Sequence, residues 1–294
     1  MLCLFTYDVF TQNRGVRNLA KDRLKLMRYL MKKYAVCLHG LSDGFTDKTL
    51  EAGVDISEVA KSLKSNLIEF NDCDLFFHTW KHPQIHELLQ IYQPIKSEVQ
   101  SSIIFHKNSV VDDLKHWRRK FLFGQNHRNR RNAIFSRWYS FKRSTDLAFS
   151  YANDYGFEYS RVVVTRFDML LRKPLDLSAL PNEEFTCGGW AKCYDDDGYE
   201  VSEIDVSLGH KYKFKGRKGF PYDSEGLHDF WFAADSSMMR KFATCYDHLP
   251  ALIDSVGLSS HKAALQHLRN QKLMRHLGFN LDFPMDYTLA RWLS

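Results

Sequence analysis

Three short apolar runs set the terms for any fold of this chain: YAVCLHG at 34–40, DLFFHTW at 74–80 and RVVVT at 161–165. Each has the length of a strand, is rich in β-branched or aromatic residues, and is bounded by glycine, histidine or charged residues, so each reads as a buried strand. Between them lie segments with helical spacing of apolar residues, over 56–70, 83–91 and 133–155. Strand, helix, strand and helix in this order predict βαβ units. The fold class is therefore α/β: a mostly parallel central sheet flanked by helices.

The rest of the chain is read around that frame. The spacing of Leu19, Leu24, Met27, Leu30 and Met31 predicts a basic amphipathic helix over 16–33. Residues 182–226 are rich in glycine and tyrosine, pass from acidic YDDDGYE to basic HKYKFKGRKGF, and predict an irregular loop or lid. Beyond it, DFWFAA (229–234) reads as a strand, 236–249 as a helix capped by Ser236, and 261–277 as a last helix. No linker divides the chain, which predicts one domain over 1–294.

With 44% hydrophobic and 14% aromatic residues in 294, the chain has ample material for a core. No apolar stretch is long enough to cross a bilayer, and the first ten residues lack a basic leader and a cleavage site. The six cysteines are scattered with no CxxC pair, which predicts reduced thiols and a cytoplasmic protein without a transmembrane segment. The +6 charge is densest from His116 to Arg143, where HWRRK, HRNRR and RWYSFKR follow one another. Such a cluster suits a polyanion or a phosphorylated ligand. No P-loop, GxSxG elbow, HExxH or zinc-spaced Cys/His set is present, which removes those enzyme classes.

The most informative stretch is SRVVVTRFDMLLRKP, 160–174. Residues two apart on an extended segment face the same side, so Arg166 and Asp168 would share one site while Phe167 turns into the core. In an open parallel sheet that site lies outside the carboxyl ends of the strands, where ligands bind. A carboxylate there can hold a divalent ion that neutralises a diphosphate leaving group, and the guanidinium can share that task or pair with the aspartate. On DLFFHTW, His78 and Trp80 occupy alternate positions and could stack on a base or sugar, or His78 could be a satisfied strand-end histidine. The DDD at 195–197 could ligate a metal or form an exposed turn.

YAVCLHG, DLFFHTW, RWYSFKRSTDLAFSYANDYGFEYSRVVVTRFDMLL and HDFWFAADSSMMRKF, taken in order, resemble the successive blocks of GT-A-type glycosyltransferase-like proteins of polysaccharide and lipopolysaccharide biosynthesis and of some large viruses. The resemblance covers 34 to about 250 and leaves out 182–226. It implies a single GT-A-like, Rossmann-like domain that moves a sugar from a nucleotide-sugar donor to a glycan or glycoconjugate acceptor. It further implies Mn2+ or Mg2+ held by Asp168, in the role of the DxD carboxylate, and Asp229 as general base. The donor would lie against His39, Gly40, His78, Arg137, Lys142, Arg166 and Asp168. His261 and His276 are the candidates for the late histidine that some such enzymes add to the metal. The chain departs from the pattern at HGLSDG (39–44), where related proteins carry Ser-Gly and then arginine, so the basic helix bearing Arg137, Lys142 and Arg143 would have to hold the phosphates.

Three other readings stay open. The basic cluster could bind nucleic acid, with Trp117, Trp138 and Tyr139 as stacking platforms. The protein could also transfer a different nucleotide-activated group, such as a phosphate or sulfate, or be a catalytically silent member that only binds glycan.

Overall fold

The computed structural model describes residues 33–40, 56–105, 127–194, 213–216, 226–283 and 285–290. The helix expected over 16–33 apart from its last residue, the whole of 106–126 with Trp117, Gly44 and the acidic triplet at 195–197 lie outside the described residues. Among the described residues there are ten strands: β1 (Tyr34–His39), β2 (Asp74–Trp80), β3 (Lys96–Gln100), β4 (Arg161–Arg166), β5 (Met169–Leu171), β6 (Phe185–Tyr194), β7 (Lys213–Gly216), β8 (His228–Ala234), β9 (Leu277–Phe283) and β10 (Tyr287–Leu289). The helices are α1 (Ile56–Leu63), continued by a π-helical turn at Lys64–Ile68, α2 (Ile85–Tyr92), α3 (His127–Tyr155), α4 (Ser236–Ala243), α5 (Cys245–Val256) and α6 (Ser260–Asn270).

The main sheet runs β3-β2-β1-β4-β8-β6-β7, with β9 also beside β6. β1 pairs parallel with both β2 and β4, β2 with β3, and β6 with β9, whereas β8 runs antiparallel to β4 and β6. The class expected from the three apolar runs therefore holds. The consecutive apolar residues of those strands are explained by burial on both faces: Ala35, Cys37, Val162 and Val164 enter one core, and Val36, Leu38 and Val163 the other.

The first core lies under α3, which turns Ile134, Phe135, Trp138, Phe141, Ala148, Phe149 and Ala152 to the sheet. Their spacing of three and four places them on one helical stripe, and each large side chain so buried contributes about 1.5–3 kcal/mol. The second core is closed by α1, α2 and the small β5–β10 pair. The described cysteines Cys37, Cys73, Cys187 and Cys245 are buried free thiols. Among the described residues, no helix is long and apolar enough to cross a membrane.

Three local expectations change, and one strand was not expected at all. The stretch 182–226, expected as an irregular loop, contains the ten-residue strand β6 and the short strand β7. Its alternation is broken by Gly188 and Gly189, where a side chain would collide with the Tyr287 ring and the Asp282 carboxylate. The α4 cap is Asp235, not Ser236, and its carboxylate accepts from Met238 N at 2.7 Å. The last helix ends at Asn270, because Lys272 takes a positive φ and the Lys272 and Leu273 amides bond back to Arg269 O and Leu268 O. This is a Schellman closure made with lysine in place of the usual glycine, and β9 follows it. Finally, the polar edge strand β3, KSEVQ, carries no apolar signal that sequence could reveal.

Candidate functional site at the strand switch point

The chain lays β1, β2 and β3 outward in one direction and then returns to place β4 on the other side of β1. The order reverses between β1 and β4, and in open sheets ligands bind outside the carboxyl ends of the strands at such a point. His39 and Arg166, the last residues of these two strands, are direct neighbours across that point. Because β8 is antiparallel, its first residues arrive at the same end: Trp231 pairs with Thr165, so Asp229 lies past the end of β4. The middle of α3 crosses above with Arg137 and Ser140.

Asp229 is the hub. Its side chain is 0% exposed, with Oδ2 at 2.6 Å from Arg137 Nη1 and Oδ1 at 3.0 Å from His261 Nδ1. Burial alone would raise its pKa, but Arg137 first and His261 next outweigh it and hold the carboxyl well below the usual range. Burial pushes the Arg137 guanidinium down to about 10, against the pull of Asp229, so it stays charged at neutral pH. Beside this pair, Arg166 donates from Nε and Nη2 to the two oxygens of Asp168 at 2.6 and 2.7 Å. Burial works against the Arg166 charge, but Asp168 beside it prevails and holds its pKa up. The Arg166 guanidinium also sits 5.7 Å from the Phe230 ring.

Arg137 uses only Nη1 on Asp229. Its Nε and Nη2, which form the other edge of the guanidinium, are buried without a hydrogen-bond partner, and so is Nδ1 of His39. His39 is 1% exposed. Burial, and then Arg137 and Arg166, keep its imidazole neutral far below the usual pKa. A buried two-donor fork left open next to a neutral imidazole is matched by an anion with two acceptor oxygens.

The residues singled out in the sequence separate into two groups. His39, Arg137, Arg166, Asp168 and Asp229 converge at the switch point. Gly40 borders it: its N–H donates to Ser140 Oγ at 2.9 Å, and its φ of +84° requires glycine. His78 supports these residues from behind and is not one of them. It is fully buried, with Nδ1 at 2.7 Å from Ser140 Oγ and Nε2 at 3.3 Å from Gln100 Oε1. With Ser140 donating to Nδ1, the neutral ring donates from Nε2, and the chain of bonds ties Gly40 to β3.

Lys142 is not brought there. It lies on another side of α3 and contacts both oxygens of Asp247 at 2.6 Å at the surface. Arg143 grips Glu98 with two bonds. Trp138, a stacking platform in the nucleic-acid reading, is wholly buried. His276 lies just before β9, away from this cluster, and its Nδ1 meets Glu183 O at 2.8 Å.

The donor set does not fit the divalent ion that the resemblance implies at Asp168. Both Asp168 oxygens face Arg166, and those of Asp229 face Arg137 and His261. Among the described residues no group of three or more His, Cys, Asp or Glu side chains is placed to hold a metal.

No family model matches the chain, and no curated protein matches its sequence. Among solved structures, it is similar to a CTP:phosphocholine cytidylyltransferase from Streptococcus pneumoniae, with 12% identity, a TM-score of 0.41, and 87% of this chain covered against 92% of that one. It is also similar to a nucleoside-diphosphate-sugar pyrophosphorylase from Vibrio cholerae RC9, with 11% identity, a TM-score of 0.41, and 88% of this chain covered against 99%. Likenesses this distant carry no functional inference.

One residue that the sequence gave no reason to choose is Gly226. Its φ is +87°, and a Cβ there would run into the backbone of His261 and Lys262. The Leu227 amide donates to His261 O at 3.0 Å, so the entry to β8 is fastened to the first turn of α6. Gly226→Ala is expected to destabilise the protein by at least about 2 kcal/mol, since both the dihedral and the contact oppose it. An unchanged midpoint in urea unfolding would contradict this account.

Proposed function

We propose that the protein is a transferase that takes a nucleotide-activated sugar and moves the sugar to a hydroxyl of a glycan or glycoconjugate. The observation that supports this reading is the open Nε/Nη2 edge of Arg137, buried at the strand switch point. A diphosphate offers paired oxygens spaced for such a fork, and at a buried position the charge-assisted bonds are strong. Arg166 and neutral His39 stand at the adjoining strand ends, where the same diphosphate would reach them. The fork supports the nucleotide-activated donor; the sugar and the glycan acceptor rest on the resemblance of the sequence blocks.

In this reading the charge appearing on the leaving nucleoside diphosphate is met by Arg137. Asp229 keeps that guanidinium oriented through Nη1, which leaves the second edge for the ligand. Asp168 plays the same part for Arg166. At the end of β1 the Gly40 backbone is held by Ser140.

Calorimetric titration of UDP, GDP, CDP and ADP into the protein, with EDTA and then with Mn2+, tests the reading. One nucleoside diphosphate is expected to bind. Arg137→Lys, which keeps the charge but loses the two-pronged edge, is expected to weaken it by about 100-fold, the value of two hydrogen bonds to a charged group. Failure of all four to bind, or binding that Arg137→Lys leaves untouched, would remove the assignment.

A further inference from the structure

His261 occupies the first turn of α6, whose cap Ser259 accepts from Lys262 N at 3.3 Å. Its ring Nδ1 lies 2.9 Å from Leu227 O and 3.0 Å from Asp229 Oδ1. Both are acceptors, so Nδ1 carries the hydrogen, and in the neutral ring the basic lone pair belongs to Nε2. The contact is built rather than incidental: the Leu227 amide bonds to the His261 carbonyl while the His261 ring bonds back to the Leu227 carbonyl, and Gly226 supplies the close approach.

Two carboxylate oxygens of one residue thus align two different groups. Oδ2 of Asp229 holds the guanidinium that faces a diphosphate, and Oδ1 holds an imidazole. Exposure separates the two members of the second pair, with the Asp229 side chain at 0% and that of His261 at 30%. Held ionised far below the usual range, Asp229 is also a weak proton acceptor. The His228 ring lies parallel to His261 at 6.2 Å and is kept neutral by burial, so the charged groups facing His261 through this cluster are Asp229 and, behind it, Arg137.

We propose that His261 is the general base of the transfer and that Asp229 is the positioning residue that orients it. This deepens the donor reading above and rests on it. Nε2 takes the proton from the acceptor hydroxyl as its oxygen forms a bond to the anomeric carbon. The bond from that carbon to the diphosphate breaks, its electron pair leaves on the diphosphate oxygen beside Arg137, and the imidazolium then returns its proton to solvent.

His261→Asn is the informative variant, because an asparagine amide can still donate towards Leu227 O and Asp229 while offering no base. With the nucleoside diphosphate and nucleotide sugar that the wild-type protein accepts, the variant is expected to keep its diphosphate Kd within about threefold and to lose kcat by about 100- to 10,000-fold. In 15N-histidine spectra of the wild type, His261 is expected as the Nδ1–H tautomer. Turnover in His261→Asn within threefold of wild type, a loss confined to KM, or an Nε2–H tautomer would overturn the proposal while leaving the donor reading in place. If the wild type binds no nucleoside diphosphate, the donor reading fails first and this proposal with it.

Discussion

Asp229→Asn is expected to destabilise the protein by about 3–5 kcal/mol, the usual consequence of removing one partner of a buried ion pair. The Asp229 side chain is 0% exposed and that of Arg137 13%, at a separation of 2.6 Å. Asparagine is almost the same size, so no cavity accounts for the loss; what remains is a guanidinium out of water with its counter-charge removed. For a chain of this size the melting temperature should fall by roughly 5–8 °C. The double replacement Asp229→Leu with Arg137→Met removes both charges and should recover much of the stability, since an apolar pair of similar volume avoids the desolvation altogether. That contrast separates a charge effect from a packing effect. A melting temperature within about 2 °C of wild type for Asp229→Asn would mean that the ion pair is not buried as described.

Acid should unfold the protein over a narrow range. Burial keeps His39 and His228 neutral well below the usual histidine pKa, and lowers that of His267 to about 4. Below about pH 6.5 the unfolded chain takes up a proton at each of these positions and the folded state does not, so each withdraws about 1.4 kcal/mol of stability per pH unit. The three together withdraw about 4 kcal/mol per unit, against a total that for most domains is about 5–15 kcal/mol. Asp229 acts in the same direction but later: its depressed carboxyl contributes fully above about pH 4, the unfolded value, and its contribution is lost as pH falls towards the folded one. Asp146, raised by burial, works the other way. Urea midpoints at pH 7, 6 and 5 should therefore fall steeply, and His39→Gln should reduce the proton uptake on unfolding by about one. Equal midpoints at pH 7 and 5 would show that these imidazoles reach solvent.

Much of the frame was legible because it rests on local pattern. β1, β2 and β4 read directly as strands since both of their faces are buried and every inward position demands an apolar residue. Phe167 was legible as a core residue between two charged ones, and it packs against Phe77 and Tyr92. β6 was not, because Gly188 and Gly189 are small for reasons that lie in Tyr287 and Asp282, far along the chain. Nor was β3, an edge strand whose half-exposed positions admit polar residues.

The candidate site divides in the same way. That a guanidinium and a carboxylate would meet at the end of β4 follows from the two-residue repeat of an extended chain. The alternation could not tell whether the carboxylate would face a ligand or close on its neighbour, and it closes on Arg166. Arg137 and Lys142 are five positions apart on one helix, about 140° around its axis, so they could not both serve one ligand. Which of them would point inward depends on where the sheet lies.

Sequence alone therefore settled the central elements: apolar periodicity marks β1, β2, β4, β8 and the helices between them, and the charged residues at strand ends mark where chemistry can gather. Tertiary structure decided the partnerships. The pairing of β1 with β4, the reversal of β8 and the seating of α6 on Gly226 bring Arg137, Asp229 and His261 into one buried cluster. Coulombic and hydrogen-bond energies depend on distance in space, and separation along the chain carries almost none of that information.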